Sequence, residues 1–319
     1  MQKEEFYLRS TDGQTDIHGY LWRPEGKAVA ALQISHVMME HIDRYDRFAS
    51  WLAERGVAVI GHDHLGHGKS CKVCDLSFFA EKRGSVYLIQ DMFRVTKVLE
   101  LEYPEVPHIL LGHSMGSFMA RRYLTVHGGY LDGLIVMGTG AQPLGLAVAG
   151  KLTAMMVGAL KGKRHQSSLM QKVVLGSYNA AFRPNRTSSD WLSRDEKEVD
   201  AFVRDPYCNI PFTCQAYVDF FNILMDLGMK RQFKKIPKTI PVLFISGDKD
   251  PVGDCGKGVQ KVYRQFVDMG MEHVTIQLYP DARHEILNEV NRQEVFEDIW
   301  DWMKGCSKIR SCYLEHNRV

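Results

Sequence analysis

Five residues, Gly112-His113-Ser114-Met115-Gly116, set a serine between two glycines. They come straight after the apolar run 108–111 and just before a helix-forming stretch, 118–126. A hydroxyl held at a sharp strand-to-helix turn is a nucleophile elbow, suited to attack on an acyl carbon. The glycines have a steric reason to flank it, because side chains there would clash and the serine backbone is strained. The pentapeptide is common by chance; its companions carry the argument.

Residues 241–246 read as a short buried strand that runs into Gly247-Asp248-Lys249-Asp250-Pro251, with Asp254 a little beyond. Three acids therefore compete at one strand end. His284 follows the next strand-like segment, 274–279. Serine, acid and histidine in that order differ from the trypsin and subtilisin orders. They suit an open α/β sheet, where functional groups gather at the carboxyl ends of strands. Acyl transfer also needs two N–H donors for the developing oxyanion. Met115, directly after the serine, supplies one. The loop leaving strand 29–34, Ser35-His36-Val37-Met38-Met39-Glu40-His41, supplies the other, with Met38 as candidate.

The string from His36 to His41 with Arg44-Tyr45 resembles the HGxxEH…RY loop of monoacylglycerol lipase and lysophospholipase-like serine hydrolases, members of the α/β-hydrolase superfamily. Asp63-His64-Leu65-Gly66-His67-Gly68-Lys69-Ser70 resembles that family's DHxGHGxS segment. The resemblance covers essentially the whole chain outside its middle. It implies an esterase or lipase with Ser114, Asp250 and His284 as catalytic triad, and Met38 and Met115 donating to the oxyanion. It selects Asp250 as the triad acid and leaves Asp248 to cap the turn. It implies no metal or organic cofactor, and a lipid monoester such as a monoacylglycerol or lysophospholipid as substrate. One position departs from the pattern: the family usually has glycine where this chain has Val37. A β-branched residue restricts the backbone there, which implies a narrower or slightly displaced oxyanion loop. Small-ester carboxylesterases and proline iminopeptidases share the fold and triad, and some members of the superfamily are ligand receptors or interaction proteins.

The elements that must position these groups alternate along the chain. Strand candidates lie near 5–9, 16–22, 29–34, 57–61, 108–111, 133–138, 241–246 and 274–279, and helical stretches at 46–55, 87–101, 117–127, 257–269 and 293–304. The pattern predicts an eight-stranded, mostly parallel sheet flanked by helices, with the first two strands a hairpin at its edge. The core divides into 1–140 and 211–319, the latter opening on a helix-like 212–227. The intervening 141–210 is an inserted helical cap.

The cap begins with an apolar stretch, 144–160, interrupted by Lys151 and followed by Lys161, Lys163 and Arg164. It is too short and too interrupted to span a bilayer. It either meets lipid as an amphipathic lid or packs its apolar face over the core, the commoner arrangement. Met155 and Met156 are candidates to line a flexible acyl tunnel. The acids Asp190, Asp195, Glu196, Glu198 and Asp200 read as a solvated helix face rather than a site for a substrate amine.

Composition bounds the rest. The 319 residues are 45% hydrophobic and 24% charged with a net charge of +2, ordinary for a globular protein and a poor match to nucleic acid. Seven cysteines and no basic-then-apolar leader suit a reduced, cytoplasmic protein. Nothing in the sequence sets an oligomeric state. His62, His64 and His67 have part of a zinc-hydrolase spacing but lack its carboxylate, and Cys71 and Cys74 form only one CxxC pair; both read as structural. Glu40, His41 and Glu285 read as loop braces.

Overall fold

The computed structural model describes residues 1–71, 75–229, 233–234 and 236–306. Cys74 and so half of the CxxC pair lie outside them. Eight strands, β1 (Gln2–Arg9), β2 (Asp16–Arg23), β3 (Ala30–Ser35), β4 (Val57–His62), β5 (His108–His113), β6 (Gly133–Met137), β7 (Val242–Gly247) and β8 (Val274–Tyr279), form one sheet in the order β1-β2-β4-β3-β5-β6-β7-β8. β1 and β2 are the expected antiparallel hairpin. β2 also pairs antiparallel with β4, and all later pairs are parallel.

Strands β3 to β7 are buried at every residue, the continuous apolar runs of a sheet covered on both faces. Alternate residues feed two different cores. Leu110, Leu134, Val136 and Phe244 join one cluster; Ile109, Leu111, Ile135 and Ile245 join the other. A period of two sends these sets to opposite faces. The helices that cover them are α1 (Asp46–Ala53), α2 (Gly84–Glu102) and α3 (Met115–His127), followed later by α7 (Cys214–Leu227), α8 (Lys257–Asp268) and α9 (Arg292–Gly305). Each shows a helical apolar stripe: α9, for instance, buries Val295, Phe296, Ile299, Trp300 and Met303.

Between β6 and α7 the expected cap segment holds α4 (Leu144–Lys161), α5 (Ser168–Leu175) and α6 (Glu196–Arg204). Here one expectation is corrected. α4 does not bury its large apolar side chains. It docks on α7 through small residues, burying Ala147 and Ala154. A Cβ at Gly150 would collide with the Phe221 ring, and one at Gly158 would press on Cys214. Ala147, Gly150, Ala154 and Gly158 share one face at helical spacing. Close approach along that face turns Leu146, Leu152, Met156 and Leu160 outward, Leu160 to 86% exposure. Contrary to the expectation from its length and Lys151, α4 is by length and composition long and apolar enough to cross a membrane; in this fold it docks on α7.

Candidate active site

β5 delivers its last residue, His113, to a turn in which Ser114 has φ 53° and ψ −115°, and α3 begins at Met115. This left-handed backbone at a non-glycine residue is costly and persists only where surroundings impose it. The surroundings do. Ser114 N–H donates to the Met137 carbonyl on β6 (2.9 Å), and its own carbonyl accepts from the Ser117 backbone N–H and hydroxyl. A Cβ at Gly112 would strike the Gly116 carbonyl, and one at Gly116 would strike the Ser35 carbonyl at the end of β3. The glycines thus let the elbow close on itself and on the loop that follows β3.

Of the three competing acids, Asp250 is the one that reaches His284, whose Nδ1 lies 3.0 Å from Asp250 Oδ2 with both side chains fully buried. Asp250 also accepts from Val252 N–H (2.9 Å) and Ser246 Oγ (3.2 Å). Asp248 instead accepts from Asp281 N–H across the neighbouring turn (2.8 Å). Burial opposes a charged imidazole, but the adjacent Asp250 carboxylate outweighs it and raises the His284 pKa above its ordinary value. His284 Nε2 is buried and has no hydrogen-bond partner among the described residues. The structure therefore joins Asp250 to His284 and does not join His284 to Ser114.

Ser114 lies in the wall of a mostly apolar cavity of about 310 Å³, together with Met38, Met115, Val37 and Met39. The backbone N–H groups of Met38 and Met115 make no hydrogen bond among the described residues. Met115 is the first residue of its helix, where no intrahelical acceptor exists. Val37 stands in the cavity wall, while Met39 takes the left-handed backbone (φ 57°). Met155 and Met156 do not line the cavity. They lie on the outer face of α4, 50% and 65% exposed, because the small-residue face is the inner one.

The braces are more extensive than the sequence reading anticipated. Glu40 accepts from Val37 N–H and the Tyr45 hydroxyl (2.7 Å each) and is ion-paired with Arg44. Arg44 makes a two-pronged pair with Glu285 (2.7 Å each), the neighbour of His284. Against the effect of burial, Arg44 holds the Glu285 carboxyl down at about 2, whereas burial and the nearby Glu285 charge push Glu40 up. His113 Nε2 donates to the His284 carbonyl (3.1 Å), and burial holds His113 neutral, its pKa near 3. His41 Nε2 lies 2.8 Å from Asp205 Oδ2 in the segment after α6.

The histidines near β4 are scaffold. His36 Nδ1 donates to the Val37 carbonyl (2.6 Å), and its Nε2 accepts from His64 N–H (3.0 Å). Asp63 accepts from His18, Ile42 N–H and Lys69 N–H. Burial lowers the pKa of His62 and of His67 to about 4, keeping both neutral. Among the described residues these rings do not converge as metal ligands; the trio whose ligand atoms do is His41, Asp205 and Cys208. Burial keeps the Cys208 thiol protonated there.

Two residues escaped the sequence reading. The Trp191 ring lies 5.0 Å from the His284 ring, and backbone bonds join His284 N–H to the Trp191 carbonyl and Glu285 N–H to the Leu192 carbonyl. A tryptophan in a stretch without a motif carried the only signal.

Comparison with known proteins places the chain. The profile of the Hydrolase_4 family, described as serine aminopeptidase S33, matches residues 26–291. Monoglyceride lipase of Rattus norvegicus is 28% identical over 299 residues, covering 89% of this chain and 88% of the rat protein. Monoglyceride lipase of Homo sapiens is 29% identical, covering 93% and 89%. The crystal structure of a thermostable carboxyl esterase from Bacillus coagulans superposes with a TM-score of 0.89 at 29% identity, over 96% of this chain and 99% of the esterase. With this sheet order, elbow and buried acid–histidine pair, the chain belongs to the Hydrolase_4 family and is a monoacylglycerol-lipase-like serine hydrolase of the α/β-hydrolase superfamily.

Proposed function

We propose that the protein hydrolyses lipid monoesters of the monoacylglycerol type, with Ser114, His284 and Asp250 as its triad. The observation that carries this is the buried Asp250–His284 pair, whose Nε2 has no partner among the described residues, together with an apolar cavity lined by Ser114, Trp191 and Glu285. His284 Nε2 takes the Ser114 proton as the hydroxyl attacks the ester carbonyl. Asp250 fixes the tautomer and stabilises the imidazolium. The Met38 and Met115 N–H groups receive the oxyanion. The imidazolium then protonates the departing glycerol oxygen, and water cleaves the acyl-enzyme by the same relay. The relay needs a Ser114–His284 hydrogen bond to form in the substrate complex, as catalytic hydrogen bonds often tighten only there.

The cavity supports an ester over a peptide substrate. A prolyl peptidase needs a free carboxylate for the substrate amine. Glu285 is the one carboxylate lining this cavity, and Arg44 already neutralises it. The cap acids are engaged elsewhere: Asp190 with Thr187, Asp195 with Arg292, Asp200 with Arg186 and Glu198 with Arg47. We further assign 141–210 as the cap, whose outward apolar residues suit contact with a lipid surface.

The test is a hydrolysis panel on purified protein: monoacylglycerols, lysophospholipids, aryl esters of graded length and N-terminal proline amides. Monoacylglycerol turnover that Ser114→Ala abolishes is expected. Faster cleavage of the proline amide, or turnover that survives Ser114→Ala, would overturn the reading.

A further inference from the structure

A second cavity, of about 820 Å³, adjoins the first and shares Phe118, Gln142 and Leu224 with it. Its lining is mixed, with Leu144, Leu227, Phe233 and Met269 forming an apolar part and charged side chains another. One wall residue is out of place. Arg121, two helical turns along α3 from Ser114, is only 4% exposed. Its Nη1 donates to Thr139 Oγ and the Gly140 carbonyl, each at 3.2 Å, while Nε is buried without a partner. No described carboxylate pairs with it; Asp268, the one acid among the described residues lining the cavity, makes no ion pair with it. Arg44, by contrast, sits between two glutamates. A buried cation without a counter-ion is costly. Burial lowers the Arg121 pKa to about 10, which still leaves it charged at neutral pH. Lys234, Lys238 and Lys261 add positive charge to the same lining.

We propose that this cavity binds a fatty-acid carboxylate, with Arg121 as its counter-ion and the apolar wall as the seat of its chain. The unpartnered Nε of this guanidinium is a charged donor suited to a carboxylate oxygen. Naming that anion as the enzyme's product, released by hydrolysis of the acyl-enzyme next door, rests on the function proposed above; the binding site does not.

Isothermal titration of the full chain with decanoate and with 1-decanol tests it. Arg121→Gln is expected to weaken decanoate binding at least tenfold, leave decanol binding unchanged and leave p-nitrophenyl butyrate hydrolysis intact. Arg121→Lys, which keeps the charge, should fall between and serves if the glutamine variant does not fold. Equal decanoate affinity in wild type and the folded variants would overturn the proposal, as would parallel loss of decanol binding. Tighter, Arg121-dependent binding of decanoyl-glycerol 3-phosphate than of decanoate would overturn it in favour of a phosphate site. Arg121-dependent decanoate binding in a protein that fails to cleave monoacylglycerol would uphold the site and sink only the substrate.

Discussion

Asp250 and Asp248 stand two positions apart at one strand end, yet they meet different neighbours. Asp250 meets His284; Asp248 meets the Asp281 turn. The two asparagine substitutions should therefore separate. Asp250→Asn is expected to lower kcat by roughly 10⁴ through loss of the correct tautomer, and Asp248→Asn to leave it within a few-fold; steady-state kinetics on an aryl ester reads both. The raised His284 pKa sets a second expectation. In the proposed relay the imidazole must be neutral to accept the serine proton, so kcat/KM should fall on the acidic side. Because the shift is upward, the midpoint should lie above 6.5, the ordinary histidine value. A pH–rate profile with its acid limb centred below 6 would contradict this.

α4 shows how an element can be legible while its orientation is not. Its residues are apolar nearly all round, so hydrophobicity alone could not tell which face was inward. The usable signal was size: Ala147, Gly150, Ala154 and Gly158 recur at helical spacing, and small residues permit close helix contact. The strands were easier. Uninterrupted Val, Ile and Leu runs have one good environment, the middle of a covered sheet, and their ends fix where Ser114, Asp250 and His284 emerge. The outward face of α4 carries its own prediction. Met156→Asp with Leu160→Asp should reduce sedimentation with phosphatidylcholine vesicles several-fold, leaving hydrolysis of a soluble butyrate ester unchanged. Unaltered vesicle binding would exclude α4 as the lipid-facing surface.

Across the whole molecule, the site is held by contacts that no local pattern announces. Arg44 and Glu285 lie 241 positions apart, and through them the loop after β3 is tied to the loop that carries His284. The HGxxEH…RY resemblance drew attention to Glu40 and Arg44, but neither spacing nor composition reveals a partner so distant. Removing the cation isolates two buried acids. Arg44→Met should therefore cost about 3–5 kcal/mol of stability, read as a lower midpoint in urea unfolding. A midpoint equal to wild type would mean the network is dispensable.

The strip bearing Trp191 and Leu192 shares main-chain bonds with the residues at 284 and 285. Displacing this strip would pull directly on the main chain that carries His284. Leu146 and Gly150 of α4 and Val173 of α5 line the same cavity as Trp191 and Leu192. One stretch of main chain thus serves both as cavity wall and as support for the histidine loop.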